Sequence, residues 1–224
     1  MNRRGFIFDL DGVIVDTAKY HFYAWQRLAN TVGVEFTEIQ NEQLKGISRV
    51  KSLEKILEWG GITLPEEKFM ELMTKKNNDY LEYVNKMNES EILPDVTKIL
   101  EHLQQNKQPI SLGSASKNAR AILQKVNLYD FFDAIVDGTN VTKAKPDPEV
   151  FLNAAKLLNV DANHCVVFED SVAGIQAANR AGMISIGIGD HNVLTEADFV
   201  FRDFTEISLD FIDGLATKQL KVNT

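Results

Sequence analysis

The chain has 224 residues, 44% of them hydrophobic and 25% charged, which suits a globular protein with one large domain or a core and a smaller companion. With histidines neutral, 24 basic and 32 acidic residues leave a net charge of −8, which excludes a broad nucleic-acid or anionic-membrane surface but not a local cationic pocket. The single cysteine, Cys165, excludes an intramolecular disulfide, and in the apolar run Cys165 to Phe168 it reads as a small buried hydrophobe.

At the start of the chain only Phe6-Ile7-Phe8 is apolar before Asp9, too short a run for a signal peptide or a spanning helix, so a cytoplasmic protein is expected. That run reads as the first strand. From about Thr17 to Tyr83 no strand is evident, and helical spacing dominates: Phe22, Trp25, Leu28, Ala29 and Val32 share a face, then Leu53, Ile56 and Leu57, then Phe69, Leu72, Met73, Tyr80 and Val84. Residues 86–94, with few apolar side chains, suit a return linker. Helical spacing resumes at Val96, Ile99, Leu100 and Leu103. Ile110-Ser111-Leu112 and Ala134-Ile135-Val136 follow as strands. A helix covers Val150, Phe151, Ala154, Leu157 and Leu158. The strand Val166-Val167-Phe168 leads to a helix from Ala173 to Ala181, which Gly182 ends. Ile184-Ser185-Ile186 and Phe199-Val200-Phe201 are the last strands, and the polar tail, residues 216–224, is expected to fray.

Strands alternating with helices predict an α/β fold: a doubly wound, Rossmann-like parallel sheet, with its active-site groups at the carboxyl ends of the strands. The long helical stretch after the first strand predicts a small all-helical cap domain. The expected division is a catalytic core of residues 1–15 and 93–224, and a cap with its linkers over residues 16–92.

Candidate chemistry gathers at strand ends. In Phe8-Asp9-Leu10-Asp11-Gly12 two aspartates, two residues apart, follow the first strand and project to the same side on extended backbone. Glu169-Asp170 follows a later strand in the same way. Two such charges about 4 Å apart repel by about 4 kcal/mol at an effective dielectric of 20. A hard divalent cation with oxygen ligands relieves this, and Mg²⁺ shared between carboxylates and a phosphate is the common case. Ser114 ends another strand and opens Ala115-Ser116-Lys117-Asn118, where hydroxyls and backbone N–H groups suit phosphate oxygens. Lys145, before Pro146, is a charge partner for nucleophile and phosphate. Each feature has a plainer reading taken singly: turn aspartates, an N-cap serine, a solvated lysine.

Together these segments resemble the haloacid dehalogenase superfamily of phosphotransferases, in order and spacing, from residue 6 to about 190. The resemblance implies that Asp9 is a covalent nucleophile forming an aspartyl-phosphate and that Asp11 is the general acid/base. It implies Mg²⁺ held by Asp9, Asp11 (through its backbone carbonyl), Glu169 and Asp170, with Ser114, Ala115 and Lys145 on the transferring phosphoryl group. Dehalogenases of the superfamily lack the second aspartate, so its presence favours phosphoryl transfer.

The helical insertion, with Tyr20 to Trp25, Asn41 to Arg49 and Lys75-Lys76-Asn77, resembles the cap of the superfamily's glucose-phosphate mutases. That likeness implies interconversion of β-D-glucose 1-phosphate and glucose 6-phosphate, with β-D-glucose 1,6-bisphosphate as intermediate and activator. A second anion pocket would then use Arg49, Ser116, Lys117 and Asn118, while Thr17, His21, Lys45, Gly46, Ser52 and Lys76 surround the sugar. The chain departs from the pattern at Gly113, at Asp147 between two prolines, and at Val50-Lys51 after Arg49. Two other readings compete: a Mg²⁺-dependent phosphatase acting on a sugar phosphate or other small phosphomonoester, and a non-catalytic phosphosugar-binding relative. The expected partner is a small phosphorylated sugar, with no nucleic acid or membrane, and the expected state is a monomer.

Overall fold

The computed structural model describes residues 3–45 and 47–217. Gly46, an expected sugar contact, lies outside the described residues, as does most of the expected frayed tail. Six parallel strands form one sheet in the order β3-β2-β1-β4-β5-β6. They are β1 (Gly5–Phe8), β2 (Ile110–Gly113), β3 (Ala134–Val136), β4 (Cys165–Glu169), β5 (Ile184–Ile188) and β6 (Phe199–Phe201). The helices are α1 (Ala18–Thr31), α2 (Glu38–Glu42), α3 (Arg49–Trp59), α4 (Glu66–Val84), α5 (Val96–Gln105), α6 (Ala119–Lys125), α7 (Glu149–Leu158), α8 (Val172–Arg180) and α9 (Leu209–Ala216). This is the doubly wound, Rossmann-like α/β architecture expected from alternating strands and helices. Among the described residues no helix is long and apolar enough to cross a membrane.

Side chains alternate across β1, which is buried on both faces. Phe6 and Phe8 join a cluster with α5, α6 and α9, and Ile7 joins one with α7 and α8. The Phe8 ring stacks on Phe168 of β4 with centroids 4.6 Å apart. Removing so buried a ring typically costs about 3–5 kcal/mol. Phe8 pairs with Leu112 on one side and Phe168 on the other, so the residues following β1, β2 and β4 end at one level. The chain winds outward from β1 through β2 to β3, then returns to β1's other side with β4. That reversal opens a crevice at the strands' carboxyl ends, where ligands of such sheets bind.

Between β1 and α5 the helices α1, α3 and α4 surround their own apolar cluster, with Trp25, Leu28, Leu53, Ile56, Leu57, Leu72 and Met73 buried in it. Thr37 closes a capping box with Gln40 at α2, and Ser48 caps α3. The second half of α4 turns its apolar residues to the sheet side, where Tyr80 and Val84 pack with the core cluster. The outgoing and returning chains run side by side: Val15 bridges Ile92, and the Asp16 N–H donates to the Glu91 carbonyl over 2.9 Å.

Candidate active site

Asp9 follows β1, and its own N–H continues the ladder to the Phe168 carbonyl at 2.9 Å. Asp9 is 6% exposed. One oxygen accepts from Lys145 Nζ at 2.5 Å, and the other accepts the Asp11 N–H at 3.1 Å. Burial pushes the Asp9 carboxyl up to about 7, against the opposing charge of Lys145 and with help from Glu169. Lys145 is held in the other direction: its burial cost is exceeded by Asp9 and Glu169, so its ammonium stays charged well above the ordinary range.

Glu169 is fully buried and fully employed. Its Oε1 accepts from Lys145 at 2.6 Å, while Oε2 accepts the Ser171 N–H at 2.6 Å and the Ser171 hydroxyl at 2.8 Å. Ser171 in turn caps α8 through the Gly174 N–H. A Cβ on Gly174 would lie 1.9 Å from Glu169 Cδ, so this packing admits only glycine. Asp170 points back across the crevice against Gly12, where a Cβ would sit 2.2 Å from Asp170 Oδ2 on a backbone with φ +80. Burial and then Glu169 raise the Asp170 carboxyl well above the usual range.

Oxygens of Asp9, Glu169 and Asp170 all lie within 4.8 Å of one another. Three carboxylates face one buried ammonium here, and among the described residues the cap adds Lys45, 3.5 Å from Asp170. This donor set is all oxygen and short of positive charge, which fits Mg²⁺. Glu169 accepts three hydrogen bonds, from Lys145 and Ser171, against two at Asp9, so Asp9 and Asp170 have the freer lone pairs.

Asp11 takes a different direction from the other carboxylates. It accepts a hydrogen bond from the Thr17 hydroxyl and lies 3.7 Å from His21 Nε2. Burial pushes its carboxyl up, but His21 and Thr17 outweigh that and hold it below the ordinary range. His21 Nδ1 is 3.0 Å from Lys76 Nζ. An ammonium there donates to Nδ1 and leaves the ring proton on Nε2, facing Asp11. Lys76 is 2% exposed, between the rings of Trp25 and Tyr80 at 4.6 and 4.8 Å. Burial, with Arg49 nearby, brings its pKa down to about 7.

Above these groups lies a cavity of about 440 Å³, floored by Asp9, Asp11 and Asp170 and roofed by helices of the insertion. The core side adds Ala115, Ser116, Lys117 and Asn118, and the opposite side adds His21, Lys45, Arg49, Ser52 and Lys76. Arg49 and Lys117 form no ion pair with a carboxylate among the described residues, and burial lowers the Arg49 pKa. Ser114, 1% exposed, accepts the Ser116 N–H, and Ser116 accepts the Asn118 N–H, which winds the loop toward α6. Thr17, Ser114, Lys145 and Glu169 stand behind the cavity wall and do not line it. Thr17 in particular is fully buried and spends its hydroxyl on Asp11.

The departures at 113, 147 and 50 have local roles. Gly113 leaves room for Phe151, whose Cδ1 would be 2.9 Å from an added Cβ. Asp147 accepts the Glu149 N–H at the start of α7. Val50 lines the cavity beside Arg49. Four contributors were not singled out from sequence. Trp25 and Tyr80 read as helix-face residues, although they flank Lys76. Ser171 has the N-cap signature before an apolar helix, which its contact with Glu169 turns to a second use. Asn77 follows Lys76 in the same motif and reaches Asn118.

A protein-family model described as haloacid dehalogenase-like hydrolase matches residues 4–182. The β-phosphoglucomutase of Bacillus subtilis (strain 168) is 43% identical over 211 residues, which is 92% of this chain and 92% of that protein. A phosphorylated carbohydrates phosphatase of Thermotoga maritima is 31% identical over 201 residues, covering 87% of this chain and 91% of its own. The crystal structure of a β-phosphoglucomutase from Clostridium difficile superposes with a TM-score of 0.92 at 40% identity, covering 98% of this chain and 99% of that one. With its strand-end carboxylates, its Lys145 and these matches, the chain belongs to the haloacid dehalogenase-like hydrolase family.

Proposed function

We propose that this enzyme is a Mg²⁺-dependent phosphoglucomutase, interconverting β-D-glucose 1-phosphate and glucose 6-phosphate through β-D-glucose 1,6-bisphosphate. The observation that carries this reading is one cavity that gathers the strand-end carboxylates and two further cations. Asp9 lines it, and so do Arg49 and Lys117, which form no ion pair with a carboxylate among the described residues. A substrate with phosphate at both ends matches that distribution, and an arginine fork suits the end that does not react. The likeness to β-phosphoglucomutases over nearly the whole chain supports the same assignment.

Asp9 is the nucleophile in this scheme. Its carboxylate oxygen bonds to phosphorus as the bond from phosphorus to the leaving sugar oxygen breaks, and Asp11 gives that oxygen its proton. In the reverse half, Asp11 accepts the proton of a sugar hydroxyl, that oxygen bonds to phosphorus, and Asp9 is released. The depressed Asp11 carboxyl is in its base form, ready to accept that proton. Mg²⁺, held by Asp9, Asp170, the Asp11 carbonyl and Glu169, would neutralise charge on the phosphoryl oxygens. Lys145, against Asp9, and Ser114, behind the wall that Ala115 lines, complete the inner phosphoryl pocket. His21, Lys45, Ser52 and Lys76 face the sugar, with Gly46 as a further contact, and Thr17 orients Asp11. Residues 16–92 act as a cap domain over a core of residues 1–15 and 93–224. The separate apolar cluster of the insertion and the paired crossing at Val15 and Ile92 support that division.

The test supplies β-glucose 1-phosphate, Mg²⁺ and a trace of glucose 1,6-bisphosphate, and follows glucose 6-phosphate and free phosphate separately. Glucose 6-phosphate without matching phosphate is expected. Phosphate as the main product would instead establish the second reading, a sugar phosphatase, which the Thermotoga maritima relative favours.

A further inference from the structure

Side chains of the insertion meet the core around the cavity both at the carboxylates, where His21 lies 3.7 Å from Asp11, and at the loop 114–118. Lys45 lies 3.5 Å from Asp170 beside the carboxylates. At the loop that carries Lys117, Asn77 of α4 accepts a hydrogen bond from Asn118 Nδ2 at 3.2 Å. Among the described residues, Asn77 is the one side chain of residues 16–92 that hydrogen-bonds to the loop 114–118. Asn118 is fixed locally as well, since its N–H donates to Ser116 Oγ, and its side chain, at the N-cap position of α6, makes no capping bond there.

A carboxamide nitrogen carries two protons. One goes to Asn77, and the second remains for an anion in the cavity that Asn118 lines. An anion accepting that proton polarises the group and strengthens the bond already made, because hydrogen bonds in a chain reinforce one another at low dielectric. The converse follows from linkage: seating α4 against Asn118 strengthens anion binding there.

We propose that Asn77 is a positioning residue: through Asn118 it couples occupancy of the outer anion pocket to seating of the cap over Asp9. A bisphosphate would then draw the cap down, while a ligand without a second phosphate would not. The phosphorylated aspartate meets a sugar hydroxyl under a seated cap and water under a loose one. This inference rests on the mutase reading above, and it names a residue that distinguishes transfer from hydrolysis.

Binding is measured calorimetrically with β-glucose 1,6-bisphosphate and saturating Mg²⁺, in an Asp9→Asn background that prevents turnover. Adding Asn77→Ala weakens the bisphosphate by about tenfold, the size of one lost, polarised hydrogen bond. In a double-mutant cycle, Asn77→Ala has little further effect once Asn118→Ala is present. With Asp9 intact, Asn77→Ala raises the ratio of free phosphate to glucose 6-phosphate several-fold, a partition that a purely structural residue would leave alone. Asn77→Ser is made alongside, so that a misfolded alanine variant does not decide the outcome. Equal bisphosphate affinity with an unchanged product ratio overturns the inference, as do additive losses in the cycle. If the bisphosphate fails to bind even with Asn77 intact, the mutase reading falls and this inference with it.

Discussion

Lys76→Met should make the protein more stable while crippling phosphoryl transfer. Lys76 is 2% exposed, and burial, with Arg49 adding to it, lowers its pKa from 10.5 to about 7. That lowering corresponds to about 5 kcal/mol of differential cost for the charged form. Contacts with the Trp25 and Tyr80 rings return up to about 2 kcal/mol, which leaves a net gain of about 3 kcal/mol for a methionine of similar shape. The sign with pH follows from linkage. Between about 7 and 10.5 the unfolded chain binds the proton that the folded protein has lost, so wild-type stability rises with pH across that window. The advantage of Lys76→Met is therefore largest at pH 7 and below, and it shrinks by about 2 kcal/mol by about pH 9. Urea unfolding of both proteins at about pH 6, 7 and 9 measures this directly. A Lys76→Met protein that is less stable at pH 7, or a difference that does not narrow with pH, would refute the reasoning. Mutase turnover should meanwhile fall, because the donor that fixes the His21 ring beside Asp11 is gone.

Gly12→Ala places a Cβ 2.2 Å from Asp170 Oδ2 on a left-handed backbone, so Asp170 must move; the Mg²⁺ concentration for half-maximal activity should rise about 10- to 100-fold. Lys145→Ala leaves Asp9 and Glu169 buried without their shared cation, and should cost about 3–5 kcal/mol in urea unfolding as well as activity. Raised carboxyl values at Asp9, about 7, and at Asp170 mean that the metal-free fold holds protons the unfolded chain has lost. Metal-free stability from these groups therefore falls as pH rises from about 4 through 7. Mg²⁺ binds the deprotonated form, so the melting-temperature gain from saturating Mg²⁺ should be larger at about pH 8 than at about pH 5.

The sheet was legible in the sequence because its strands are buried on both faces, and short apolar runs such as Phe6 to Phe8 and Val166 to Phe168 have few other uses. The carboxylates were legible for a related reason: a charged residue directly after such a run must face the crevice where the strand ends. The helical faces at Trp25, Leu28 and Leu53 followed from periodicity alone. What periodicity does not carry is direction. Tyr80 and Val84 share a stripe with Leu72 and Met73, yet they leave the insertion's cluster for the core. Long-range pairing was equally hidden. Nothing in the local sequence says that Lys76 meets His21, 55 residues earlier, or that Asn77 reaches Asn118, 41 residues later. Those contacts are set by how separated segments dock.

The most direct test of the central claim follows the phosphoryl group itself. Enzyme is phosphorylated with glucose 1,6-bisphosphate carrying radioactive phosphate, then chased with unlabelled β-glucose 1-phosphate in Mg²⁺. The label should pass through the protein and reappear in glucose 1,6-bisphosphate, with little free phosphate, and Asp9→Asn should take up none. Label retained by Asp9→Asn, or released from the wild type chiefly as inorganic phosphate, would contradict transfer through Asp9 to a sugar.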